Sequence, residues 1–274
     1  MDSFEGRVAV ITGAASGIGR GLALALAKEK ANVVLVDRDE LTEVEAECVA
    51  AGAQTIVARL DVTNRAAMVA LATDVVARFG KVNLLCNNAG IVAFGSSTEV
   101  SEESWDRILA VNVKGVANGI AAFVPVLLET AEGDGYVVNT ASGAGLVAGG
   151  VLPLAAYTAS KHAVVGLSDT LRSELAGTGI GVSTLCPGSV KTGILDTAEY
   201  SDSTSILRPP TAGAPTPGRE GVRRMEPRDV VRLVLAGIRA GTPYILTHPE
   251  ARPAIEARYQ EILASVEAAE ALLA

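Results

Sequence analysis

The chain has 274 residues, of which 49% are hydrophobic and 20% are charged, and this is the composition of an ordinary globular protein with a sizeable core. Its net charge is −8, from 31 acidic and 23 basic residues, and the sequence contains no run of Lys and Arg. The basic surface of a nucleic-acid-binding protein is therefore not expected. Small molecules are the expected partners, and one domain spanning residues 1–274 is the expected organisation.

Cysteine and histidine usage argues against a disulfide framework or a metal site. Cys48, Cys86 and Cys186 lie far apart and form no Cys-x-x-Cys pair. His162 and His248 also lie far apart, so no metal is predicted. The first residues lack the basic and apolar regions of a signal peptide, and glycines and a proline interrupt the longest uncharged stretch. We therefore expect a cytoplasmic protein that does not associate with membranes.

Short apolar runs alternate with longer segments of helical pattern along most of the chain. The predicted strands are Val8–Ile11, Asn32–Val36, Gln54–Arg59, Val82–Cys86, Tyr136–Thr140, Val182–Cys186 and Tyr244–Leu246. The predicted helices cover residues 17–30, 39–51, 64–79, 101–130, 155–177, 228–240 and 250–272. Because the strands are apolar throughout, helices should cover both faces of the sheet. The sequence therefore predicts an α/β fold with a doubly wound, parallel, seven-stranded sheet.

The segment from Gly193 to Glu226 breaks this alternation. It is rich in Ser, Thr, Gly and Pro, so no regular element is predicted through most of it. Long irregular segments inside a compact domain are often lids over a ligand or disordered. We expect residues 193–226 to form a substrate lid, and the chain to end in a helix at about 250–272.

A glycine-rich turn follows the first predicted strand, where a phosphate-binding loop would lie. It has the spacing Gly-x-x-x-Gly-x-Gly and runs into an Ala/Leu-rich helix. Glycines permit a tight turn and bring a pyrophosphate close to the free amide groups at a helix N-terminus. An ordinary glycine-rich turn is the alternative, but the strand before and the helix after favour binding. The predicted cofactor contacts here are Gly13, Ser16, Gly17, Ile18 and Gly19.

Residues at the ends of the next strands predict where the rest of a dinucleotide would bind. Asp37 ends the second strand, where a carboxylate can accept hydrogen bonds from the adenosine ribose and would repel a 2′-phosphate. NAD is therefore predicted rather than NADP, although Arg38 could bind that phosphate or could simply be solvated. The Asp, Asn and Gly residues at the ends of the third and fourth strands could simply form turns. Open α/β sheets bind ligands at these strand ends, however, so cofactor contacts are predicted there. The predicted contacts at those ends are Asp61, Val62, Asn88, Ala89 and Gly90.

Three side chains suggest acid and base chemistry at the same edge of the sheet. Tyr157 and Lys161 are four residues apart, so a helix places them one turn apart on one face. A nearby ammonium favours the ionised form of a phenol, as an acid/base working near neutral pH requires. Such a pair alone is often structural. Ser142 adds weight, because it ends the fifth strand and its hydroxyl can hydrogen-bond a substrate oxygen.

Taken together, these motifs resemble the short-chain dehydrogenase/reductase family over nearly the whole chain to about residue 192. The resemblance implies a Rossmann-type fold in which Tyr157 is the acid/base and Ser142 orients the substrate oxygen. Lys161 would bind the nicotinamide ribose, and Asn112 would hold a water for proton relay. It also implies a homotetramer or homodimer, with the helices of Asn112 and Tyr157 packed against a neighbour. The residues that would line the nicotinamide side are Pro187, Gly188, Val190 and Thr192.

The expected function is hydride transfer between NAD(H) and a secondary alcohol or ketone. Apolar residues of 91–96 and 143–154 should line the substrate pocket. The tail at 243–250 resembles dehydrogenases of lignin-derived aryl ether alcohols, so an aromatic alcohol is one candidate. Hydroxysteroids, other lipophilic alcohols and 3-oxoacyl thioesters stay open, since a fold does not name a substrate. The alternatives are an NADPH-dependent ketone or 3-oxoacyl reductase, a catalytically silent nucleotide-binding regulator, and an epimerase or dehydratase.

Overall fold

A parallel sheet of seven strands forms the centre of the computed structural model, which describes residues 1–148, 153–195, 199–200 and 224–273. The strands are numbered along the chain as β1 Val8–Thr12, β2 Asn32–Asp37, β3 Thr55–Arg59, β4 Leu84–Asn87, β5 Ala93–Phe94, β6 Tyr136–Thr140, β7 Gly181–Cys186, β8 Glu199–Tyr200 and β9 Tyr244–Leu246. The order across the main sheet is β3-β2-β1-β4-β6-β7-β9, and every pairing is parallel. The predicted fold class is confirmed, and the strand order reverses direction between β1 and β4.

Helices cover both faces of this sheet. They are α1 Gly17–Lys28, α2 Thr42–Ala50, α3 Arg65–Phe79, α4 Glu102–Leu109, α5 Gly115–Thr130, α6 Ala155–Glu174, α7 Pro227–Ala240 and α8 Arg252–Leu273. Successive residues of a strand point to opposite faces. In β2, Val33 and Leu35 join the core layer under α1 and α7, whereas Val34 and Val36 join the layer under α3 and α5. Burial on both faces explains why the strands are apolar throughout.

Two predicted helices differ from the structure. The helix predicted at 39–51 begins only at Thr42, because the Asp39 amide donates to Asp37 Oδ1 and the Glu40 carboxylate accepts from the Leu41 amide. These local bonds hold the chain in a turn. The helix predicted at 101–130 is continuous but contains a π-helical turn at Ala110–Lys114, between α4 and α5. A single wider turn leaves the apolar periodicity nearly unchanged, so the sequence does not reveal it.

The predicted lid at 193–226 lies largely outside the described residues. The chain just before this segment is joined to its end, because the Met225 amide donates to Ser189 O at 3.0 Å and the Lys191 amide donates to Met225 O at 2.9 Å. Within the predicted lid, β8 pairs with β5 in a small second sheet that the sequence analysis does not predict. Two-residue strands carry too little periodicity to be recognised.

Within the described ranges, one helical stretch, Glu102–Thr130, is long and apolar enough to cross a membrane, but half of its most apolar window is buried in the protein. Phe123 and Leu127 are fully buried in the core under the sheet. Asn118 Nδ2 donates to Val62 O at 2.8 Å, a contact that fixes α5 against the chain after β3. This stretch is therefore a core helix of the α/β fold.

A buried polar network fixes the central strands against α6. Asn87 Nδ2 donates to Asn139 Oδ1 at 2.9 Å, and Asn139 Nδ2 donates to Ser168 Oγ at 3.1 Å. The network depends on a glycine in α5, because a Cβ atom at Gly119 would lie 2.0 Å from Asn87 Oδ1. Since buried polar groups need their partners, this contact holds the ends of β4 and β6 in place.

Two glycine substitutions test how tightly this region is packed. Gly119→Ala should lower the free energy of unfolding by about 1–3 kcal/mol, because the added methyl collides with Asn87. The matched control is Gly166→Ala in α6, where an added Cβ has no atom within 4 Å. It should raise stability by about 0.5–1 kcal/mol through helix propensity. Urea unfolding of both variants measures the two values, and equal shifts of the same sign would contradict this packing.

Candidate active site

A cleft of about 240 Å³ opens at the carboxyl ends of the strands. Its lining includes residues that end or follow five of them: Gly13 after β1, Asp37 at the end of β2, Asn88 after β4, Thr140 at the end of β6 and Pro187 after β7. In a parallel sheet these ends share one edge, and a crevice forms where the strand order reverses. The cleft lies at that point, between β1 and β4.

The glycine turn after β1 and the turn after β4 form one continuous floor. The Thr12 hydroxyl oxygen accepts hydrogen bonds from the Asn88 amide at 2.9 Å and from the Ala89 amide at 3.1 Å. Gly13 has φ of +69°, and a Cβ there would lie 2.9 Å from Ala89 Cα. A Cβ at Gly19 would lie 2.0 Å from Gly13 O. Only glycines permit this close approach, so the turn is a cradle of backbone rather than of side chains.

The first turn of α1 faces this cradle. Ser16 is the N-cap residue of α1, but its side chain makes no capping hydrogen bond, and the first turn holds no acidic residue. The leading amide groups of a helix lack intrahelical partners and attract anions. Gly17 packs beside the opposite wall, where its Cβ would lie 3.0 Å from Thr192 Cγ2. The geometry suits a pyrophosphate held between α1 and the chain after β7.

Asp37 is oriented by backbone amides at the edge of the cleft. Its Oδ2 accepts from the Ala15 amide at 2.9 Å, and its Oδ1 accepts from the Asp39 amide at 3.1 Å. Arg38 is exposed, with its Nε 3.8 Å from Asp39 Oδ1. Asp39 also lines the cleft, which the sequence analysis did not predict. Two carboxylates beside one arginine make this edge unfavourable for a 2′-phosphate.

The next part of the wall comes from the chain after β3. Asp61 lines the cleft, although its Oδ1 also accepts from the Thr63 amide at 2.8 Å, so turn chemistry and a cleft position coexist. Val62 is buried and fixed from two sides: Asn118 binds its carbonyl oxygen, and a Cβ at Gly115 would lie 2.6 Å from its Cγ2. This apolar wall suits the flat face of an adenine ring.

Lys161 lies buried at the other end of the cleft, one turn of α6 after Tyr157. Its Nζ donates to Thr140 O at 2.9 Å and lies 5.6 Å from the centre of the Tyr157 ring. Burial lowers the pKa of Lys161 to about 8. The ammonium therefore still carries a charge at neutral pH and is held beside the phenol. The Thr140 hydroxyl is buried next to it and has no hydrogen-bond partner among the residues that the structure describes.

Ser142 lies two residues beyond β6, on the same side of the cleft. Its Oγ accepts from the Ala144 amide at 3.2 Å, which fixes the position of the oxygen. Its Oγ also lies 3.5 Å from Pro187 O, a long distance for a hydroxyl donor. The hydroxyl proton can therefore turn toward a ligand oxygen.

Asn112 does not line the cleft; its side chain joins two elements that do. Its Oδ1 accepts from the Ile91 amide at 2.9 Å, while its Nδ2 donates to Ile91 O and to Ser160 Oγ, both at 3.0 Å. Ser160 Oγ in turn donates to Tyr157 O at 2.7 Å. The loop after β4 and the helix of Tyr157 are thus linked through one buried amide in the π-helical turn.

The structure brings together nearly all of the residues predicted from the sequence. Gly19 and Asn112 are the two that do not line the cleft, and both support residues that do. The predicted residues in its lining are Gly13, Ser16, Gly17, Ile18, Asp37, Arg38, Asp61, Val62, Asn88, Ala89, Gly90, Ser142, Tyr157, Lys161, Pro187, Gly188, Val190 and Thr192. The part of the chain that the structure describes holds no group of three or more His, Cys, Asp and Glu suited to a metal ion.

Several residues that form or support the cleft carry no recognisable signal in the sequence. Leu60 and Val111 line the cleft, but they are apolar residues beside predicted polar ones and carry no signal of their own. Gly188 is held from the far end of the chain, because its amide donates to Thr247 Oγ1 at 3.1 Å and to His248 Nδ1 at 3.2 Å. A Cβ at Gly188 would lie 2.5 Å from His248 Nδ1. Sixty residues separate these partners, and no local pattern links them.

Comparisons with known proteins agree with this geometry. A family model described as short chain dehydrogenase matches residues 7–202. The putative oxidoreductase SadH of Mycobacterium tuberculosis is 44% identical over 206 residues, which cover 74% of this chain and 73% of SadH. The cyclohexanol dehydrogenase of Acinetobacter sp. is 35% identical over 236 residues, which cover 85% of this chain and 88% of that dehydrogenase. The crystal structure of a short-chain dehydrogenase/reductase from Burkholderia phymatum in complex with NAD has a TM-score of 0.83 and 39% identity, and covers 97% of each chain.

The buried charge of Lys161 predicts a pH dependence of stability. Below about pH 8 the ammonium is charged in both the folded and the unfolded chain, so folding bears the full cost of its burial. Between about pH 8 and pH 10.5 only the unfolded chain keeps the proton, so the stability of the wild type rises with pH. Relative to Lys161→Met, this gain should be on the order of 3 kcal/mol, measured by urea unfolding across that range.

The exposed Lys114 offers the matched control. The difference in unfolding free energy between the wild type and Lys114→Met should change little over the same pH range, since solvation of that side chain changes little on folding. If the difference in unfolding free energy between the wild type and Lys161→Met were also independent of pH, burial of the Lys161 charge would not lower stability.

Proposed function

Because the chain belongs to the short-chain dehydrogenase family, we propose that it is an oxidoreductase that transfers hydride between NAD(H) and a secondary alcohol or ketone. One observation carries the proposal: a single cleft has an amide-held carboxylate, Asp37, at one end and the set of Ser142, Tyr157 and Lys161 at the other. The relative from Burkholderia phymatum is described as a complex with NAD, which supports the same cofactor here.

The backbone cradle fits a dinucleotide. A Cβ at Gly13 would collide with the turn after β4, and a Cβ at Gly19 would collide with the turn after β1. Because neither residue has a Cβ, this wall can approach a pyrophosphate closely. Asp37 would hold the adenosine ribose, Val62 would cover the adenine, and Lys161 would hold the nicotinamide ribose. Pro187, Gly188, Val190 and Thr192 would line the nicotinamide side. When bound, NAD supplies the acceptor or donor of hydride at its nicotinamide ring.

Tyr157 would move the proton that accompanies the hydride. In oxidation its phenolate takes the proton of the alcohol, and in reduction its hydroxyl protonates the ketone oxygen. The buried Lys161 ammonium favours the phenolate form, since an opposite charge stabilises an anion in a desolvated site. The Ser142 hydroxyl donates to the substrate oxygen and stabilises the charge that develops on it.

Asn112 would act from behind the cleft. A Cβ at Gly90 would lie 3.3 Å from Asn112 Oδ1 and 3.4 Å from Lys161 Nζ, so both atoms face the same glycine. We place the proton-relay water in this region, between the amide oxygen and the ammonium. The bonds of Asn112 to Ile91 and Ser160 would keep that oxygen fixed.

The substrate that we propose is hydrophobic. Ile91 lines the cleft, and Leu146 and Val147 belong to the apolar cluster beside Cys186. Val92 and Phe94 are buried, so core packing accounts for them, and residues 151 and 152 lie outside the described residues. The likeness to cyclohexanol dehydrogenase supports an apolar alcohol. An aromatic alcohol of the aryl ether kind is supported by the resemblance of the tail at residues 243–250 alone.

We further propose one catalytic domain over residues 1–274, with residues 193–226 as its substrate lid, acting in the cytoplasm as a homotetramer or homodimer. Cys48, Cys86 and Cys186 are free and buried, which suits a reducing compartment. Leu109 and Leu128 expose 37% and 49% of their surface on the helices that follow β5. These exposed apolar side chains support an interface through α4 and α5, and the family resemblance adds the helix of Tyr157, α6.

Substitution of Tyr157 tests the proposed reaction. Tyr157→Phe should lower kcat for oxidation of cyclohexanol, or of the best secondary alcohol in a panel, by about 10²–10⁴-fold, because the proton acceptor is lost. Its affinity for NADH should stay within a few-fold of the wild type. Tyr259→Phe removes a phenol in α8, outside the cleft, and should leave kcat unchanged. Full turnover by Tyr157→Phe would show that another group moves the proton.

Cofactor choice tests the role of Asp37. In fluorescence titrations the wild type should bind NADH at least about tenfold more tightly than NADPH, and Asp37→Ser should narrow this ratio to a few-fold. Equal or reversed preference would mean that Arg38 dominates and would favour the NADPH-dependent reductase; Arg38→Ala should then weaken NADPH binding. Binding of NADH without turnover of any alcohol or ketone would favour the silent regulator.

A further inference from the structure

Strand β9 brings two buried polar side chains to the end of the sheet beside the cleft. Its parallel register with β7 sets Leu246 next to Cys186. The next two residues, Thr247 and His248, are only 5% and 7% exposed and therefore lie beside the chain that follows β7. Neither of them lines the cleft. Because polar side chains are seldom buried without a partner, their contacts indicate what they do there.

Both side chains hold the same backbone amide. The Gly188 amide donates to Thr247 Oγ1 at 3.1 Å and to His248 Nδ1 at 3.2 Å, and these two acceptor atoms lie 2.6 Å apart. An amide N–H only donates, so Nδ1 presents its lone pair and the imidazole proton lies on Nε2. The Thr247 hydroxyl then donates its own proton to Nδ1. Two side-chain acceptors are thus aimed at one N–H group.

The loop of Ser142 holds the opposite edge of the same peptide group. Pro187 O belongs to the peptide that joins Pro187 to Gly188, and it accepts from the Gly143 amide at 2.8 Å. A trans peptide group is planar, and its C=O and N–H point in opposite directions. Hydrogen bonds at both edges therefore fix the rotation of this peptide. A change at one edge is passed to the other.

The imidazole ring also packs directly on Gly188. A Cβ at Gly188 would lie 2.5 Å from His248 Nδ1 and 2.6 Å from His248 Cγ. Pro187 has no N–H of its own, so the Gly188 amide is the first backbone donor after β7. Pro187 and Gly188 both line the cleft, on the side where we place the nicotinamide.

We propose that Thr247 and His248 are positioning residues for the hydride transfer. They fix the Pro187–Gly188 peptide and, through it, both the wall beside the nicotinamide and the loop of Ser142. This inference rests on the proposed function. Rotation of the peptide would displace the nicotinamide and the Ser142 hydroxyl relative to each other. A misplacement of about 1 Å in such a site can lower the rate by about 10²-fold.

The adenosine end of the cleft is held by other contacts. Asp37 is oriented by the Ala15 amide, and the glycine turn packs on Asn88 and Ala89. ADP-ribose lacks the nicotinamide ring and otherwise matches NADH. The ratio of the affinities for NADH and for ADP-ribose therefore reports on the nicotinamide alone.

Two double variants of the full-length chain test the proposal. Thr247→Val with His248→Leu removes both acceptors and keeps similar shapes. Thr247→Ser with His248→Asn keeps both acceptors, because Asn Oδ1 takes the position of the imidazole Nδ1. The acceptor-free variant should lower kcat for cyclohexanol, or for the best secondary alcohol in a panel, by about 10²-fold. The acceptor-keeping variant should stay within a few-fold of the wild type.

Two further measurements separate positioning from a loss of stability. In the acceptor-free variant the ratio of NADH affinity to ADP-ribose affinity should fall by about tenfold, while ADP-ribose binding itself changes little. The rate ratio between cyclohexanol with hydrogen and with deuterium at C1 should rise, because hydride transfer becomes slower than the other steps. If the double variant folds poorly, His248→Leu alone should show smaller changes of the same kind.

His162→Leu is the control for loss of an imidazole. The His162 ring contacts Thr158 O and Arg258, outside the cleft, so this variant should keep the wild-type kcat and affinity ratio.

Equal losses of kcat in the two double variants would overturn the proposal, because the acceptors would then not matter. Parallel losses of NADH and ADP-ribose affinity would also overturn it, since the effect would not be confined to the nicotinamide. Failure of the proposed function gives a different result. A wild type that binds NADH but turns over no alcohol or ketone contradicts the hydride transfer, whereas the affinity ratio still decides whether Thr247 and His248 hold the nicotinamide end. A wild type that does not bind NADH overturns both.

Discussion

Parallel pairing of the strands is the constraint on which the rest of the site depends. It brings the carboxyl ends of β1, β2, β4, β6 and β7 to one edge of the sheet, although the chain visits them far apart in sequence. The change of direction between β1 and β4 leaves a crevice at that edge. Because Gly13 and Gly19 have no Cβ, the turn after β1 packs closely on itself and on the turn after β4. Backbone amides therefore line the crevice. Every proposed role follows from this shared edge.

The site also contains a buried charge, the ammonium of Lys161. The Lys161 ammonium is desolvated, and its bond to Thr140 O does not restore the lost hydration in full, so its pKa is lowered to about 8. A core optimised only for stability would place an apolar side chain there. The cost is consistent with a role in holding a phenolate and a ribose beside it, since functional residues are often held at the expense of stability.

The sequence predicted the fold class and most of the cleft, because strand periodicity and polar residues at strand ends are local signals. Asp37 and Ser142 stand out for this reason, and Lys161 stands out because it lies one helical turn after Tyr157. The contributions of Leu60 and Val111 could not be predicted, since apolar residues in the lining look like core. The support of Gly188 by His248 joins distant parts of the chain, and the π-helical turn at Asn112 barely changes the apolar pattern. Long-range contacts of this kind require the three-dimensional fold.

A crystal structure of the protein with NAD tests the central claim most directly. We expect the adenosine ribose hydroxyls to lie within hydrogen-bond distance of the Asp37 carboxylate and the nicotinamide ribose to lie within that distance of Lys161. The carboxamide-bearing ring should lie between Tyr157 and the chain after β7. A dinucleotide bound in the opposite direction, or bound outside this cleft, would contradict the assignment of the two ends.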